Sequence, residues 1–463
     1  MNSPLRIAVV GSGPSGFYAA EALLKQKDLA VRVDMFDRLP TPYGLVRGGV
    51  APDHQKIKSV VMVYEKVAAS PNFRFFGNVM LGRDIQAAEL LAAYDQVVYA
   101  VGNESDRRLG IPGEDLKGNY SATEFVGWYN GHPDHREKTF DLSQESVAVI
   151  GIGNVAMDVT RILAEDPEEL AKTDIASYAL DALRRSRVKE IYLLGRRGPA
   201  QAAYSPAEIQ EIGELKSADL VVRQEEVSLD DLSKAGLIEP NDKKNVDYVT
   251  ERAKRGEGSA SRKVRLRFCA SPVEVIGEGG QATALKIEKN ALVSDGRGGV
   301  KARGTGQFET VKVGLVFRSV GYRGIPIAGV PFDEKAGKIP NAEGRVLDTQ
   351  SQAPRVGEYV VGWAKRGPSG LIGTNRADSV ATVKAMLEDA AAGRLNLSAA
   401  GEPDAAVSLL KKRNVRFVTF SDWKRLDALE LANGQRLGKI REKFSRVGEM
   451  LAALSDAERP VQA

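Results

Sequence analysis

Residues 5–16 read LRIAVVGSGPSG, an apolar run that leads directly into three glycines spaced as G-x-G-x-x-G. The run Leu5–Val10 is rich in β-branched residues and predicts a short buried strand. We expect Gly11 to make a tight turn and Gly13 to let the backbone approach a pyrophosphate. Gly16 should let the following helix pack closely on the strand, with the phosphates at the helix N-terminus.

The next segments complete a dinucleotide-binding unit. Residues Phe17–Gln26 predict the helix, and Val31–Phe36 predict a second strand that ends at Asp37. An acid in this place, about 20 residues after the last glycine, is positioned to hydrogen-bond a ribose hydroxyl. The glycine spacing alone is a weak signal, but strand, helix, second strand and acid in this order form a specific one.

A second fingerprint follows in the middle of the chain. Val147–Ile150 predicts a strand, Gly151 and Gly153 match the first two glycines, and Ala156 stands in the third position. Alanine there is an accepted variant with slightly looser helix–strand packing. The predicted helix is Met157–Ala164.

The matching second strand of this unit, Glu190–Leu194, is followed by Arg196 and Arg197 instead of an acid. A guanidinium can hold a 2′-phosphate through two hydrogen bonds, whereas a carboxylate would repel it. The pair therefore predicts selection of NADP(H) over NAD(H). The alternative is a solvated basic turn. An inserted helical stretch, Asp166–Arg187, accounts for the long spacing.

Composition narrows the function classes. Among 463 residues, 65 basic and 61 acidic side chains nearly balance, which argues against nucleic-acid binding. No apolar stretch approaches the roughly 18 residues of a membrane span. Cys269 is the only cysteine and there are three histidines, so we expect no disulfide, no protein-bound iron–sulfur cluster and no metal site. Redox chemistry would need bound organic cofactors, and the two fingerprints predict stored FAD and exchanging NADPH.

The order of these motifs predicts an α/β protein with two Rossmann-like dinucleotide-binding domains, the NADP domain being inserted into the FAD domain. This is a glutathione-reductase-like architecture. We expect the FAD-binding domain at 1–107 and 317–400, the NADP-binding domain at 108–316, and a C-terminal extension at 401–463 packed on the FAD domain. Residues Leu229–Arg267 are interpreted as a flexible excursion. In the extension, a strand is expected at Val415–Phe420 and a helix at Gly438–Ala453.

Five further strings closely resemble the adrenodoxin reductase family, which includes bacterial NADPH–ferredoxin reductases. They are PYGLVRGGVAPDH (42–54), GWYNG (127–131), GRRGP (195–199), RSVGYR (318–323) and GWAKRGPSGLIGTN (362–375). The resemblance runs from about Leu5 to Leu395. It implies an FAD-containing ferredoxin–NADP reductase that takes hydride from NADPH onto FAD and passes single electrons to a 2Fe–2S ferredoxin.

The resemblance also implies site residues. The positions that match FAD contacts are Ser15, Asp37, Leu45, Leu81, Trp363, Gly370, Leu371 and Ile372. Those that match NADP contacts are Asn154, Val155, Ala156, Arg196, Arg197, Glu208 and, again, Gly370.

Two residues are candidates for a catalytic role. His54 closes the first string, and Glu211 lies one helical turn after Glu208, on the same face of a predicted helix. Both also fit ordinary packed or solvated side chains. Gly367–Asn375 is a glycine-rich loop that precedes a helix predicted at Ser379–Asp389. The N-terminus of that helix could stabilise negative charge on a flavin.

The main alternative is an FAD/NADPH-dependent monooxygenase acting on a small organic substrate. A disulfide reductase would need a cysteine pair, which a single cysteine cannot supply. A non-catalytic nucleotide-binding module would not need the arginine pair. We expect an acidic ferredoxin as partner, a monomer, no membrane or nucleic acid, and a location in the cytoplasm.

Overall fold

A computed structural model describes residues 4–370, 372–396, 402 and 404–456. The strands are β1 (Leu5–Val10), β2 (Val31–Phe36), β3 (Phe73–Phe76), β4 (Gln96–Tyr99), β5 (Ser105–Asp106), β6 (Asn119–Ser121), β7 (Ser146–Ile150), β8 (Glu190–Leu194), β9 (Ala218–Val222), β10 (Arg262–Arg267), β11 (Ala270–Glu278), β12 (Gln281–Ser294), β13 (Val300–Lys312), β14 (Leu315–Arg318), β15 (Tyr322–Arg323), β16 (Asn341–Ala342), β17 (Arg345–Leu347) and β18 (Pro354–Val360).

The helices lie between these strands and after the last of them. They are α1 (Pro14–Leu24), α2 (Leu45–Gly48), α3 (Gln55–Lys58), α4 (Val61–Ala68), α5 (Ala87–Ala93), α6 (Ala122–Tyr129), α7 (Asn154–Ala164), α8 (Pro167–Leu170), α9 (Ser177–Arg184), α10 (Pro206–Gly213), α11 (Asp231–Gly236), α12 (Pro240–Arg255), α13 (Trp363–Arg366), α14 (Thr374–Ala391), α15 (Ala405–Lys412), α16 (Phe420–Arg436) and α17 (Val447–Asp456). Every helix among the described residues is too short or too polar to cross a membrane.

Seven strands form the first sheet, in the order β16-β17-β18-β4-β1-β2-β3. The five strands from β18 to β3 are parallel, with Val10 opposite Phe36 and Tyr99. Four of these strands are almost continuously buried, as expected for a parallel sheet that is covered on both faces. Helices α1 and α14 pack against each other on one face. We call this unit the first domain.

Six parallel strands form the second sheet, in the order β6-β14-β7-β8-β10-β9. Helices α6 to α12 lie in the same stretch of chain. Their buried apolar side chains join those of the strands in one core that includes Phe125, Met157 and Phe317. We call this unit the second domain.

The chain crosses between the domains twice. It leaves the first sheet after β4 and returns to it at β16, and all strands of the second sheet lie between these points. At the crossing, β5 and β15 pair as a two-stranded ribbon, and the long strands β11, β12 and β13 form a separate antiparallel sheet. The predicted fold class is therefore confirmed, whereas the domain boundaries stay predictions.

Three local predictions were wrong in whole or in part. Residues Leu229–Arg267 are not a flexible excursion, because they form α11, α12 and the inner strand β10 of the second sheet. Val415–Phe420 makes only a single bridge, between Val418 and Gly77, and the helix expected at Gly438–Ala453 begins at Val447. The side chains of Trp423, Leu426 and Met450 bury the extension in the core of the first domain.

Candidate active site and cofactor-binding cavity

One continuous cavity of about 1560 Å³ opens between the two domains. Both glycine loops, the arginine pair and the loop before α14 line it. A pocket for one small ligand typically measures roughly 300–1,000 Å³. The cavity therefore has room for two large ligands that meet, which is the arrangement that two fingerprints predict.

The first glycine loop fits a pyrophosphate. A Cβ atom on Gly11 would lie 2.4 Å from the carbonyl oxygen of Ala100, and one on Gly16 would lie 2.1 Å from that of Gly11. Around Gly13, by contrast, no atom of a described residue other than its chain neighbours lies within 4 Å of the Cβ position. The backbone is thus packed tightly at two positions and open to the cavity at the third, where a phosphate can approach the N-terminus of α1.

The acid at the end of β2 is fixed by its own loop. The Oδ2 atom of Asp37 accepts hydrogen bonds from the backbone N–H and the hydroxyl of Ser12, at 2.8 and 2.5 Å. Its Oδ1 atom accepts from the N–H of Leu39 at 2.9 Å. These bonds orient a carboxylate that lines the cavity, as the binding of a ribose hydroxyl requires.

The second glycine loop repeats this geometry. Gly151 has φ +117°, and a Cβ there would lie 2.2 Å from the carbonyl oxygen of Ser319, while the Cβ position of Gly153 is open. The side-chain oxygen of Asn154 accepts from the N–H of Ser205 at 3.0 Å, which ties the start of α7 to the residue before α10. Helices α1, α7 and α14 all follow glycine caps, which have no side chain that could occupy their first N–H groups.

The arginine pair is placed as a phosphate clamp. Arg196 is exposed, Arg197 is half-buried, and both line the cavity. Among the described residues, neither guanidinium has an acidic partner within 4 Å. Burial and the charge of Arg196 lower the pKa of Arg197. Asn290 donates a hydrogen bond to the carbonyl of Arg196 at 2.8 Å and fixes its backbone. Two adjacent cations at the cavity wall match a dianionic 2′-phosphate.

Buried polar atoms without a partner mark the other end of the cavity. The side-chain oxygen and nitrogen of Asn103 and the indole nitrogen of Trp363 have no hydrogen-bond partner among the described residues. Both residues line the cavity, and Asn103 is only 3% exposed. Leu45 presents an apolar side chain, 39% exposed, to the same space. Because unpaired buried polar groups are costly, a ring system with hydrogen-bonding edges, such as a flavin, fits here.

Charged side chains from three elements meet beside this region. The Nε2 atom of His54 lies 2.8 Å from Oε2 of Glu211, and its Nδ1 atom lies 3.7 Å from Oδ1 of Asp158. At the centre is Arg161, whose side chain is 3% exposed. It contacts Asp53 at 2.6 Å, Asp158 at 2.7 Å, Glu208 at 3.1 Å and Glu211 at 3.5 Å.

The elements bring these groups together across the domain junction. His54 caps α3 in the first domain, while Asp158 and Arg161 lie one turn apart on α7 of the second. Helix α10 supplies Glu208 and Glu211 from the same face.

Burial and the neighbouring charges shift the pKa values of the side chains in this cluster. Burial alone would lower the pKa of His54, but the hydrogen bond that it donates to Glu211 and the nearby aspartates outweigh burial and raise that pKa. Burial and the neighbouring Asp158 raise the pKa of Glu208 to about 7. Burial likewise raises the pKa of Asp158, whereas the bond to His54 lowers that of Glu211. These shifts favour the charged form of the His54 imidazole and the neutral form of the Glu208 carboxyl group.

Oxygen and nitrogen atoms of His54, Glu208 and Glu211 lie within 4.8 Å of one another. The guanidinium of Arg161 already contacts both glutamates. A metal ion would meet this fixed positive charge, and we therefore assign the group as a hydrogen-bonded cluster.

Most of the site residues expected from the sequence line the cavity. These are Gly11, Gly13, Ser15, Asp37, Leu45, His54, Asn154, Val155, Arg196, Arg197, Glu208, Trp363, Gly370 and Ile372. Gly16 and Ala156 are buried where helix and strand pack. Leu81 lies outside the lining, and Glu211 reaches it only through His54. Leu371 lies outside the described residues.

Three residues of this region were missed by the sequence reasoning. Asp53 is part of a quoted string but has no distinguishing pattern, and Asn103 occupies an ordinary loop. The third missed residue is Arg161. It contacts Asp53 and Glu208, which lie 108 and 47 residues away along the chain. Only the fold reveals such contacts.

Comparison with known proteins places these features in a family. Residues 5–170 match the pyridine nucleotide-disulphide oxidoreductase family. The chain is 45% identical to NADPH-ferredoxin reductase FprA of Mycobacterium leprae, over 96% of this chain and 97% of that protein. It is 41% identical to the mitochondrial NADPH:adrenodoxin oxidoreductase of Arabidopsis thaliana, over 98% and 96% of the two chains.

A solved structure gives the same result. FprA of Mycobacterium tuberculosis in complex with NADPH superimposes with a TM-score of 0.92 at 44% identity, covering 98% of this chain and 100% of that one. This agreement extends over both domains and the C-terminal extension. The chain therefore belongs to the family of NADPH–ferredoxin reductases and NADPH:adrenodoxin oxidoreductases.

Proposed function

We propose that this protein is an NADPH:ferredoxin oxidoreductase that binds FAD in the first domain and NADP(H) in the second. The observation that carries the proposal is that two glycine loops open on one cavity, one with an acid and the other with two arginines at the end of its second strand. FAD, when bound, accepts a hydride and releases its two electrons one at a time.

The second domain binds the exchanging nucleotide. Arg196 and Arg197 hold its 2′-phosphate, and the N-terminus of α7 holds its pyrophosphate. Gly370, which also lines the cavity, has φ +80° and no side chain, and we expect the nicotinamide to approach its backbone. These contacts orient the nucleotide, and orientation is the main requirement of hydride transfer.

The first domain binds and orients FAD. Asp37 accepts from a ribose hydroxyl, and Leu45 contacts the ring system. The indole nitrogen of Trp363 and the amide of Asn103 supply hydrogen bonds to the ring edges or the ribityl chain. His54 is hydrogen-bonded through Nε2 to Glu211, and its raised pKa favours the charged form of an imidazole that lines the cavity.

The electron acceptor that we propose is an acidic 2Fe–2S ferredoxin. This chain has only one cysteine and cannot bind an iron–sulfur cluster through cysteine ligands of its own. A net charge of +4 suits association with an acidic partner. We further propose that the protein acts as a monomer in the cytoplasm.

Anaerobic stopped-flow absorbance tests this function. NADPH is expected to bleach the flavin absorbance quickly and NADH far more slowly, and oxidised 2Fe–2S ferredoxin should restore it. Restoration by oxygen and an organic substrate, but not by ferredoxin, would overturn the partner assignment and favour the monooxygenase. The extent of similarity to ferredoxin reductases does not favour that alternative.

A further inference from the structure

The segment 438–446, between α16 and α17, carries two lysines that are buried at the junction of the two domains. Lys439 is 8% exposed and Lys443 is 5% exposed. Lysine is almost never buried to this extent without paired groups around it. The contacts of these side chains therefore indicate what the segment does.

On the side of the first domain, the Nζ atom of Lys443 donates to the carbonyl oxygen of Arg47 at 3.2 Å. The Arg47 guanidinium is itself held by both carboxylate oxygens of Glu430, at 2.8 and 2.5 Å. Glu430 also accepts from the N–H of Phe444 at 3.0 Å. Segment 438–446 is thus locked to α2, the short helix that presents Leu45 to the cavity.

On the side of the second domain, the same Lys443 ammonium donates to the carbonyl oxygen of Asn130 at 3.2 Å and contacts Asp174 at 3.0 Å. Lys439 donates to the carbonyl of Ile175, and the hydroxyl of Ser177 donates to Glu442 at 2.7 Å. One buried ammonium therefore contacts both domains at once.

Asp174 is shared by a second lysine. The Nζ atom of Lys58, on α3 directly after His54, lies 2.7 Å from its carboxylate. Burial lowers the pKa of Lys58 and lowers that of Lys443 to about 7, while the two ammonium groups outweigh burial and hold the pKa of Asp174 well below its usual range. We call Lys58, Asp174 and Lys443 the junction cluster.

A buried charge cluster is weak support for stability, because desolvation offsets most of the attraction. Its hydrogen bonds, however, have a fixed geometry. Domains joined within one chain move relative to each other unless their interface prevents it. Hydride transfer needs its reacting atoms at roughly 3–3.5 Å, so that a displacement of about 1 Å can cost on the order of 100-fold in rate.

We propose that Lys443 and Asp174 are positioning residues that fix the second domain against the first at the separation that hydride transfer needs. The inference rests on the proposed function. None of the three residues of the junction cluster lines the cavity. The cluster acts by holding α2, which carries Leu45, and α3, which directly follows His54, against the nucleotide-binding domain.

The test compares Lys443→Met with Arg446→Met in the FAD-loaded, full-length protein. Arg446 lies in the same segment and pairs across the same junction with Glu137 at 2.8 Å, but both side chains are largely exposed. Exposed pairs contribute little. Anaerobic stopped-flow gives the limiting rate of flavin reduction and the dissociation constant of NADPH separately.

For Lys443→Met, we expect the limiting rate to fall at least tenfold, with FAD content unchanged and the NADPH dissociation constant within about threefold of the wild type. Arg446→Met should match the wild type. A limiting rate within twofold of the wild type would overturn the proposal. So would a parallel loss of rate, FAD and NADPH affinity, since this indicates a merely structural role. Asp174→Asn provides the same comparison if Lys443→Met does not fold.

A second readout does not depend on flavin reduction. Spin labels at Lys335→Cys in the first domain and Arg185→Cys in the second, in a Cys269→Ser background, report the distance between the domains. The distance distribution should be narrow in the otherwise unchanged protein and broader or shifted with Lys443→Met. Equal distributions would refute the positioning role. If NADPH fails to reduce even the wild type, the proposed function fails, and this distance measurement still decides the inference.

Discussion

The Nε2 atom of His54 lies 2.8 Å from the Oε2 atom of Glu211, although the two residues belong to different domains. This bond crosses the cavity wall beside the region assigned to the flavin. It makes the charge of the imidazole depend on how the domains are placed. The three histidines of the chain should therefore titrate very differently.

Histidine titration by NMR tests this relationship. We expect His54 to titrate above the ordinary value of 6.5, and His132 near pH 4 because burial lowers its pKa. Burial also lowers the pKa of His135. In Glu211→Gln, the pKa of His54 should fall, since burial remains while the bonded carboxylate is lost. An unchanged His54 titration in this variant would contradict the bond.

The raised pKa of His54 determines how the stability of the folded protein changes with pH. Because the folded state raises the pKa of His54, its imidazolium contributes stability that is fully present below about pH 6.5 and is lost as the pH rises through the folded pKa. Glu211→Gln should reduce stability most between about pH 4.5 and pH 6.5, where carboxylate and imidazolium are both charged, and least at alkaline pH. The thermal midpoints of wild type and variant, compared across this range, measure the difference.

Replacing both Arg196 and Arg197 with alanine tests the phosphate clamp. Each charge-assisted bond contributes roughly 1.5–3 kcal/mol, so the Michaelis constant for NADPH should rise on the order of 100-fold. NADH lacks the 2′-phosphate, and its Michaelis constant should change by less than about threefold. Equal effects on the two nucleotides would refute the assignment.

The sequence predicted the glycine loops well because their requirements are local. Strands β1 and β2 begin and end at the expected residues, since glycine and charged residues bound their apolar runs sharply. Helix α1 begins three residues before the predicted Phe17, because Pro14 suits the first turn of a helix as well as a loop.

The C-terminal segment and the charged cluster could not be predicted, because they depend on contacts between residues that are far apart in the sequence. A helix was expected at Gly438–Ala453, but the chain is irregular up to residue 446. Lys439 and Lys443 in this stretch contact residues of the second domain, and these contacts set the backbone conformation. Likewise, no pattern around Arg161 indicates that it is buried among acids from three elements. The hydrophobic periodicity of a sequence indicates which face of a helix or strand is apolar. It does not indicate which charged side chains contact each other.

Gly370→Val should slow flavin reduction by NADPH at least tenfold while FAD stays bound. A Cβ at Gly370 would lie 2.2 Å from the hydroxyl oxygen of Thr374, at a position that lines the cavity. Gly367→Val is the matched control: φ is +85° against +80°, but among the described residues beyond its chain neighbours no atom lies within 4 Å of its Cβ position. Both variants carry the same backbone strain, so equal slowing would attribute the effect to strain and not to the nicotinamide.

Asn103→Leu should have opposite effects with and without FAD. In the apoprotein, removing two unpaired polar atoms should leave the thermal midpoint unchanged or raise it. With FAD, the lost hydrogen bonds should weaken binding by roughly 10- to 100-fold, measured by recovery of FAD fluorescence on release. Asn245→Leu is the control, since Asn245 is equally buried but donates to Tyr204 in the second domain. It should lower stability and leave FAD affinity unchanged. Unaltered FAD affinity in Asn103→Leu would exclude this residue from the FAD site.

Arg161→Met should destabilise the protein by about 3–5 kcal/mol at pH 8, because it leaves buried carboxylates without their common cation. Arg161 lowers the pKa of Glu208 from the higher value that burial imposes, so this pKa should rise above 7 in the variant. A folded state with raised carboxyl pKa values binds more protons than the unfolded chain, and its stability therefore increases as the pH falls. The deficit in thermal midpoint should be several degrees at pH 8 and clearly smaller at pH 5.5. Arg184→Met, which removes an exposed pair with Glu168, should show almost no deficit at either pH. A deficit for Arg161→Met that is equally large at both pH values would mean that lost packing, and not unpaired charge, dominates the effect.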